Sequence, residues 1–158
     1  MAERIEAHKQ RLNEGRARLD YVLDRVGYGW EQQVYSDGAA WTVKQLAVHL
    51  MISDKGQTNT IKGIAAGQEV VPADFDLQRY NERSVQKRAD ASITEIREAL
   101  TASKAERDAW LETIDDATLE IKGRHASGLI LSVGQILDVM ANHETGHAND
   151  IARVLKID

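Results

Sequence analysis

The sequence predicts an all-α fold, one four-helix bundle formed by a single domain over residues 1–158. Three observations predict it. The chain has only one proline, so few positions are barred from helix. Its apolar residues recur at intervals of three and four over long stretches, which lines one face of a helix. Ser or Thr followed three residues later by Gln or Glu opens three of those stretches, the signature of a capping box.

The first helix follows Ile5, His8, Leu12, Leu19, Val22 and Val26 and is closed by Gly27-Tyr28-Gly29. A polar loop leads to Gly38, with Tyr35-Ser36-Asp37-Gly38 reading as a turn. Thr42 caps the second helix, Gln45 returns the bond, and Trp41 and Leu46 occupy hydrophobic-staple positions. This helix extends to about Ala66, with Gly67 as its stop. Residues 68–74, which include Pro72, read as a linker, and residues 76–90 as a polar helix. Ser92 and Glu95 form a second capping box, ahead of a long helix through Leu100, Trp110 and Ile114. The last helix repeats the pattern: Ser132 caps, Gln135 closes the box, and Leu131 and Ile136 form the staple. Its inward stripe is Ile136, Met140, His143, His147, Ile151 and Val154. Four major helices with staggered apolar faces and no strand-rich region make a bundle. No internal repeat or domain boundary interrupts it.

Composition narrows the function. A chain of 158 residues is long enough to bury a real core without staples. The absence of cysteine excludes disulfides, thiolate zinc, iron–sulfur clusters and a cysteine nucleophile. It also fits a reducing compartment. The start, MAERIEAHKQ, lacks the apolar segment of a signal peptide, and no apolar run approaches the roughly 20 residues that cross a bilayer. The expectation is a soluble, cytoplasmic protein with no membrane partner. The net charge is −5 with acids and bases interspersed, which argues against a nucleic-acid partner. The basic bias from Arg79 to Arg88 reads as a solvated helix face.

Two of the five histidines stand out. His143 and His147 lie one turn apart on the last helix, about 40° apart around its axis, so both imidazoles can grip one ion from the same side. They occupy a stripe where Leu or Ile is expected, and an unsatisfied polar ring there costs stability. Taken alone, the pair is equally well read as two hydrogen-bonded core histidines. His49 adds a third candidate ligand at the edge of the apolar face of the second helix, reachable if that helix packs against the last. Three neutral imidazoles suit a divalent transition metal, namely zinc, nickel, cobalt or ferrous iron, and leave positions for water or substrate. His8, on the inner stripe of the first helix, and His125, before the last helix, have no partner at ligand spacing and read as structural or exposed.

His143-Glu144-Thr145-Gly146-His147 matches HExxH literally. The metzincin extension would require Gly at 150 and His at 153, where Asp150 and Arg153 stand. Glu144 is therefore expected to be a solvated helix carboxylate on another face, and peptidase activity is not expected.

Trp41-Thr-Val-Lys-Gln-Leu-Ala-Val-His49-Leu50 resembles the opening of the second helix in the DinB-like superfamily. Residues 132–151, with HxxxH followed by Ile151, resemble its last helix. The resemblance covers nearly the whole chain. It implies a four-helix bundle of the DinB/YfiT type, often a homodimer, with zinc or nickel held by a histidine triad, here His49, His143 and His147. It also implies chemistry of the kind seen in relatives: thiol S-transferases that use bacillithiol, mycothiol-dependent maleylpyruvate isomerases, and stress-associated proteins or metal-dependent hydrolases. The segment from Asp74 to Glu82 is similar to the mycothiol branch. The additional C-terminal domain of some isomerases has no counterpart here, which weighs against isomerase activity specifically.

Two functions follow as expectations. In the first, the ion activates a low-molecular-weight thiol or a water towards a small-molecule substrate, as in an S-transferase or a hydrolase. Asp150, and Arg153 for an anionic substrate, are the candidate helpers, against the plainer reading of both as surface charges. In the second, the site belongs to a non-enzymatic metal-binding or stress-associated interaction module. A fourth ligand from His8 or His125 would favour the second, because structural zinc is normally closed by four protein ligands.

Overall fold

Side-chain caps set where the helices begin. In the computed structural model, which describes residues 2–158, α1 spans Ala2–Leu23, α2 Val43–Ala65, α3 Leu77–Lys87, α4 Ile93–Leu111 and α5 Val133–Leu155. Thr42, Ser92 and Ser132 each accept the backbone N–H three residues on, and Gln45, Glu95 and Gln135 bond back to the cap backbone. Asp76 caps the short α3 through the Arg79 N–H. Gly67, next to the Ala66 cap of α2, takes a positive φ of 76°, the left-handed conformation that ends a helix without a Cβ clash, and Gly27 takes 58° in the turn that follows α1.

α1, α2, α4 and α5 are the four long helices of the bundle. α1 packs along α5, while α2 packs against both α4 and α5. Gly15 makes the α1–α5 contact close: a Cβ there would sit 3.2 Å from the Ala141 carbonyl oxygen and 3.2 Å from Thr145 Oγ1. α3 lies in the α2–α4 connection and buries only Val85. No helix among the described residues is long and apolar enough to cross a membrane.

Two features depart from the sequence expectation. α1 ends at Leu23, and Val26 is buried from the following turn rather than from the helix. A short hairpin precedes α5, pairing β1 (Lys122–Arg124) antiparallel to β2 (Ile130–Ser132) with Gly123 opposite Leu131. Three-residue strands are too short for period-two alternation to register.

The core is divided. One apolar cluster contains Leu19, Leu46, Leu50, Ile96, Leu100 and Ile151, and the other contains Leu12, Ile61, Leu111, Leu119, Ile136 and Leu137. Between them every long helix contributes a buried polar residue: Arg16 from α1, Asp54 and Thr58 from α2, Ser103 and Arg107 from α4, and Glu144 from α5. Arg107 Nη1 lies 2.6 Å from Asp54 Oδ1, and Ser103 donates to the other oxygen of the same carboxylate. Arg16 Nη2 lies 2.7 Å from Glu144 Oε1 and 3.4 Å from Asp54 Oδ2. Buried charges persist only when paired and hydrogen-bonded, and this layer pairs two arginines with two carboxylates.

Glu144 is thus not the solvated carboxylate that the sequence suggested. It is 4% exposed. Burial pushes its carboxyl up, and the Arg16 guanidinium opposes that shift. A 23-residue amphipathic helix packed on both α1 and α2 buries a face wider than one apolar stripe, and Glu144 falls on the α1 side of it.

Candidate metal centre

The seam between α2 and α5 brings His49, His143 and His147 together. His143 Nε2 lies 3.1 Å from His49 Nε2 and 3.1 Å from His147 Nε2. The three ligand atoms all lie within 4.8 Å of one another. Their rings meet edge to face, with centroids 4.5–5.5 Å apart. Trp41 covers His49, ring centroids 4.8 Å apart, so the residue preceding the Thr42 cap also walls the site.

The loop before α2 adds a residue that the sequence reading had taken only for part of a turn. Val34 N–H bonds the Trp41 carbonyl and Val43 N–H bonds the Gln32 carbonyl, which folds the loop against the start of α2. Tyr35 is thereby placed over α5. Its hydroxyl lies 2.7 Å from His147 Nδ1 and donates to Asp150 Oδ2. Asp150 also receives Arg153 Nη1 at 2.9 Å, while the Arg153 side chain is otherwise largely exposed.

The protons along this chain of hydrogen bonds fix the His147 tautomer. Burial opposes ionisation of Asp150, but the bonds from Tyr35 and Arg153 outweigh it and hold the carboxyl below its ordinary value, so it is an acceptor only. Burial, reinforced by Asp150, raises the Tyr35 phenol well above its ordinary value. Its single proton therefore goes to Asp150, and its oxygen accepts Nδ1–H from His147. His147 Nε2 is left bare and faces His143.

Hydrogen bonding alone serves that arrangement poorly, because one His143 Nε2 proton would have to be shared between His49 and His147. A ring nitrogen has one in-plane position and acts as donor or acceptor, not both. If His143 Nε2 donates to His147, it cannot also accept from His49. Three bare Nε2 lone pairs around one cation satisfy all three nitrogens at once, and the donor set fits a divalent transition metal. The rings are also in the right charge state. Burial is the main cause that pushes His49 down to about 4 and His143 down to about 3, with the neighbouring imidazoles adding to it. Burial lowers His147 as well, against the pull of Asp150.

The other two histidines are committed elsewhere. His8 is buried beside Arg11 and Asp138, its Nδ1 3.0 Å from Arg11 Nη2 and 3.1 Å from Asp138 Oδ1. His125 Nε2 lies 2.8 Å from Gln57 Oε1, and its Nδ1 accepts the Ser127 N–H at 3.1 Å. Among the described residues no further His, Asp or Glu joins the trio. Glu144, adjacent in sequence, is directed to Arg16 instead.

None of the curated proteins compared with the chain matches it. The sequence signature of the DinB superfamily matches residues 5–151, a span that runs from the first core residue of α1 through the α5 histidines. With its mostly helical bundle and a histidine cluster compatible with a metal ion, the chain belongs to the DinB superfamily.

Proposed function

We propose that the chain is a metal-dependent enzyme that activates a small exogenous nucleophile, a low-molecular-weight thiol or water, against an electrophilic small molecule. The observation that carries this reading is the convergence of three imidazole nitrogens without a fourth protein ligand among the described residues, the composition of a catalytic rather than a structural zinc site. His49, His143 and His147 would hold a divalent ion, zinc or nickel, which would lower the pKa of a coordinated thiol or water towards neutrality. The protein has no cysteine, so in the thiol case the sulfur comes from a cofactor and the product is its S-conjugate.

The chain's own residues have separable roles in this reading. His49, His143 and His147 are ligands, not acids or bases. Tyr35 and Asp150 hold the His147 tautomer and ring orientation, the outer-shell function that tunes ligand basicity. Trp41 shields His49 from bulk water. Arg153, exposed at the rim, is available to an anionic substrate.

Metal-loaded protein incubated with a panel of small thiols and electrophiles, followed by mass spectrometry of the products, tests the proposal. Metal-dependent S-conjugates or hydrolysis products that vanish in His147→Ala are the expected result. Stoichiometric metal with no turnover of any pair would instead favour the non-enzymatic metal-binding module.

A further inference from the structure

α2 continues past the trio towards the hairpin. His49 meets His143, Gln57 two turns on meets His125, and Gly123 lies against Ile64 near the end of the helix. Ser53 sits between, one turn beyond His49 and rotated about 40° from it. These residues form a hydrogen-bond chain whose direction is fixed at one end by the backbone. Ser127 N–H must donate, so His125 Nδ1 is an acceptor. His125 is 7% exposed and burial lowers its pKa, so the neutral ring carries its proton on Nε2 and donates it to Gln57 Oε1. That bond sets the Gln57 amide, whose Nε2 donates to Ser53 Oγ at 3.0 Å.

Ser53 Oγ therefore accepts, and its own proton remains to be given. Helical hydroxyls usually return that proton to the carbonyl one turn back, as Thr60 does to Gly56 and Thr101 does to Arg97, both at 3.0 Å. Ser53 makes no such bond, and among the described residues no acceptor takes its proton. Its side chain is partly open to solvent. The result is an oriented, unspent donor one turn from a ligand histidine.

We propose that Ser53 is a substrate-binding residue that donates to a carbonyl or carboxylate oxygen of a ligand seated at the histidine trio, with Gln57 and His125 as the positioning residues that aim it. This rests on the metal-site reading above. Side chains one turn apart on a helix are about 5–6 Å apart at Cβ, so the ligand needs only two or three atoms between its metal-binding atom and the acceptor oxygen. Short carboxylic acids and carbonyl compounds carrying a thiol or hydroxyl fit that description.

Cobalt(II)-substituted protein provides the test through its thiolate charge-transfer band. Mercaptoacetate carries the acceptor and ethanethiol does not. Ser53→Ala should weaken mercaptoacetate about tenfold, the worth of one hydrogen bond to a charged group, and leave ethanethiol and cobalt content unchanged. Ser53→Thr should restore binding, and Gln57→Leu should give an intermediate loss. Equal losses on both thiols, or none on either, would overturn the proposal. If neither thiol gives the band in the unaltered protein, the thiol reading of the function fails on its own. The comparison then passes to glycolate, whose hydroxyl and carboxylate oxygens have two carbons between them, followed in the cobalt d–d spectrum: weaker glycolate binding in Ser53→Ala supports the subsite, whereas indifference to the substitution, or no glycolate binding at all, overturns it.

Discussion

Arg16 of α1 and Glu144 of α5 are joined through Nε and Nη2 to the same carboxylate oxygen, at 2.8 and 2.7 Å, with both side chains 6% exposed. The pair sits one residue from His143 and ties the helix that carries His143 and His147 to its neighbour. Removing one member of a buried pair strands the other charge, which costs about 3–5 kcal/mol. Arg16→Met should therefore lower the urea midpoint sharply. Arg16→Met with Glu144→Leu should recover much of the loss, because Asp54 keeps Arg107 and Ser103. A single variant as stable as the parent would show the pair to be energetically idle.

Glu144→Gln separates structure from ligation. Glu144 is bonded to Arg16 and is not part of the histidine group, so this variant should keep its metal while losing stability. Casein cleavage by the parent that disappears in Glu144→Gln would instead make Glu144 the base of a peptidase.

Metal stoichiometry tests the trio itself. One divalent ion per chain is expected, and His49→Ala, His143→Ala or His147→Ala should each lower it strongly. Chelation should reduce the melting temperature by removing mass-action stabilisation, roughly 2.7 kcal/mol at a hundredfold excess over Kd. Helical circular dichroism should survive, since both apolar clusters are complete without the ion. Full metal content in all three variants would refute the site.

Tyr35→Phe keeps the ring and removes the oxygen that accepts from His147 and donates to Asp150. Loss of such an outer-shell partner typically costs 10–100-fold in metal affinity. Competition with a coloured chelator should show a loss of about that size, with an unchanged melting temperature for the metal-free protein.

The pH dependence of metal-free protein follows from the depressed histidines. With folded values of about 4 for His49 and about 3 for His143, against about 6.5 unfolded, the unfolded chain binds more protons inside that window. Stability therefore rises with pH. The contribution is complete above about pH 6.5 and is lost as pH falls towards 4 and then 3, by up to about 1.4 kcal/mol per pH unit for each histidine. Urea midpoints measured from neutrality down into this window should fall steadily, and a flat profile would contradict a neutral, buried trio. The same neutrality means that folded protein should retain metal below pH 6.5, where free imidazole would release it.

The sequence by itself determined the four long helices, their three capping boxes and the histidine set. These are local properties: a capping box spans four residues, an apolar stripe repeats within one helix, and His143 and His147 share a face through helical geometry alone. His49 needed one tertiary assumption, that α2 packs on α5. Only the tertiary structure decided what surrounds that set. Tyr35 acquires its role by crossing 112 positions to His147, and Ser53 and Gln57 acquire theirs through a buried His125 that reaches across 68. Glu144 was misread for the same reason. One helix viewed alone has a single inward stripe, whereas α5 in the bundle packs against two partners, and the second, α1, offered Arg16. Long-range polar pairing leaves no period in the sequence, because its partners are set by which helix faces meet and not by spacing along the chain.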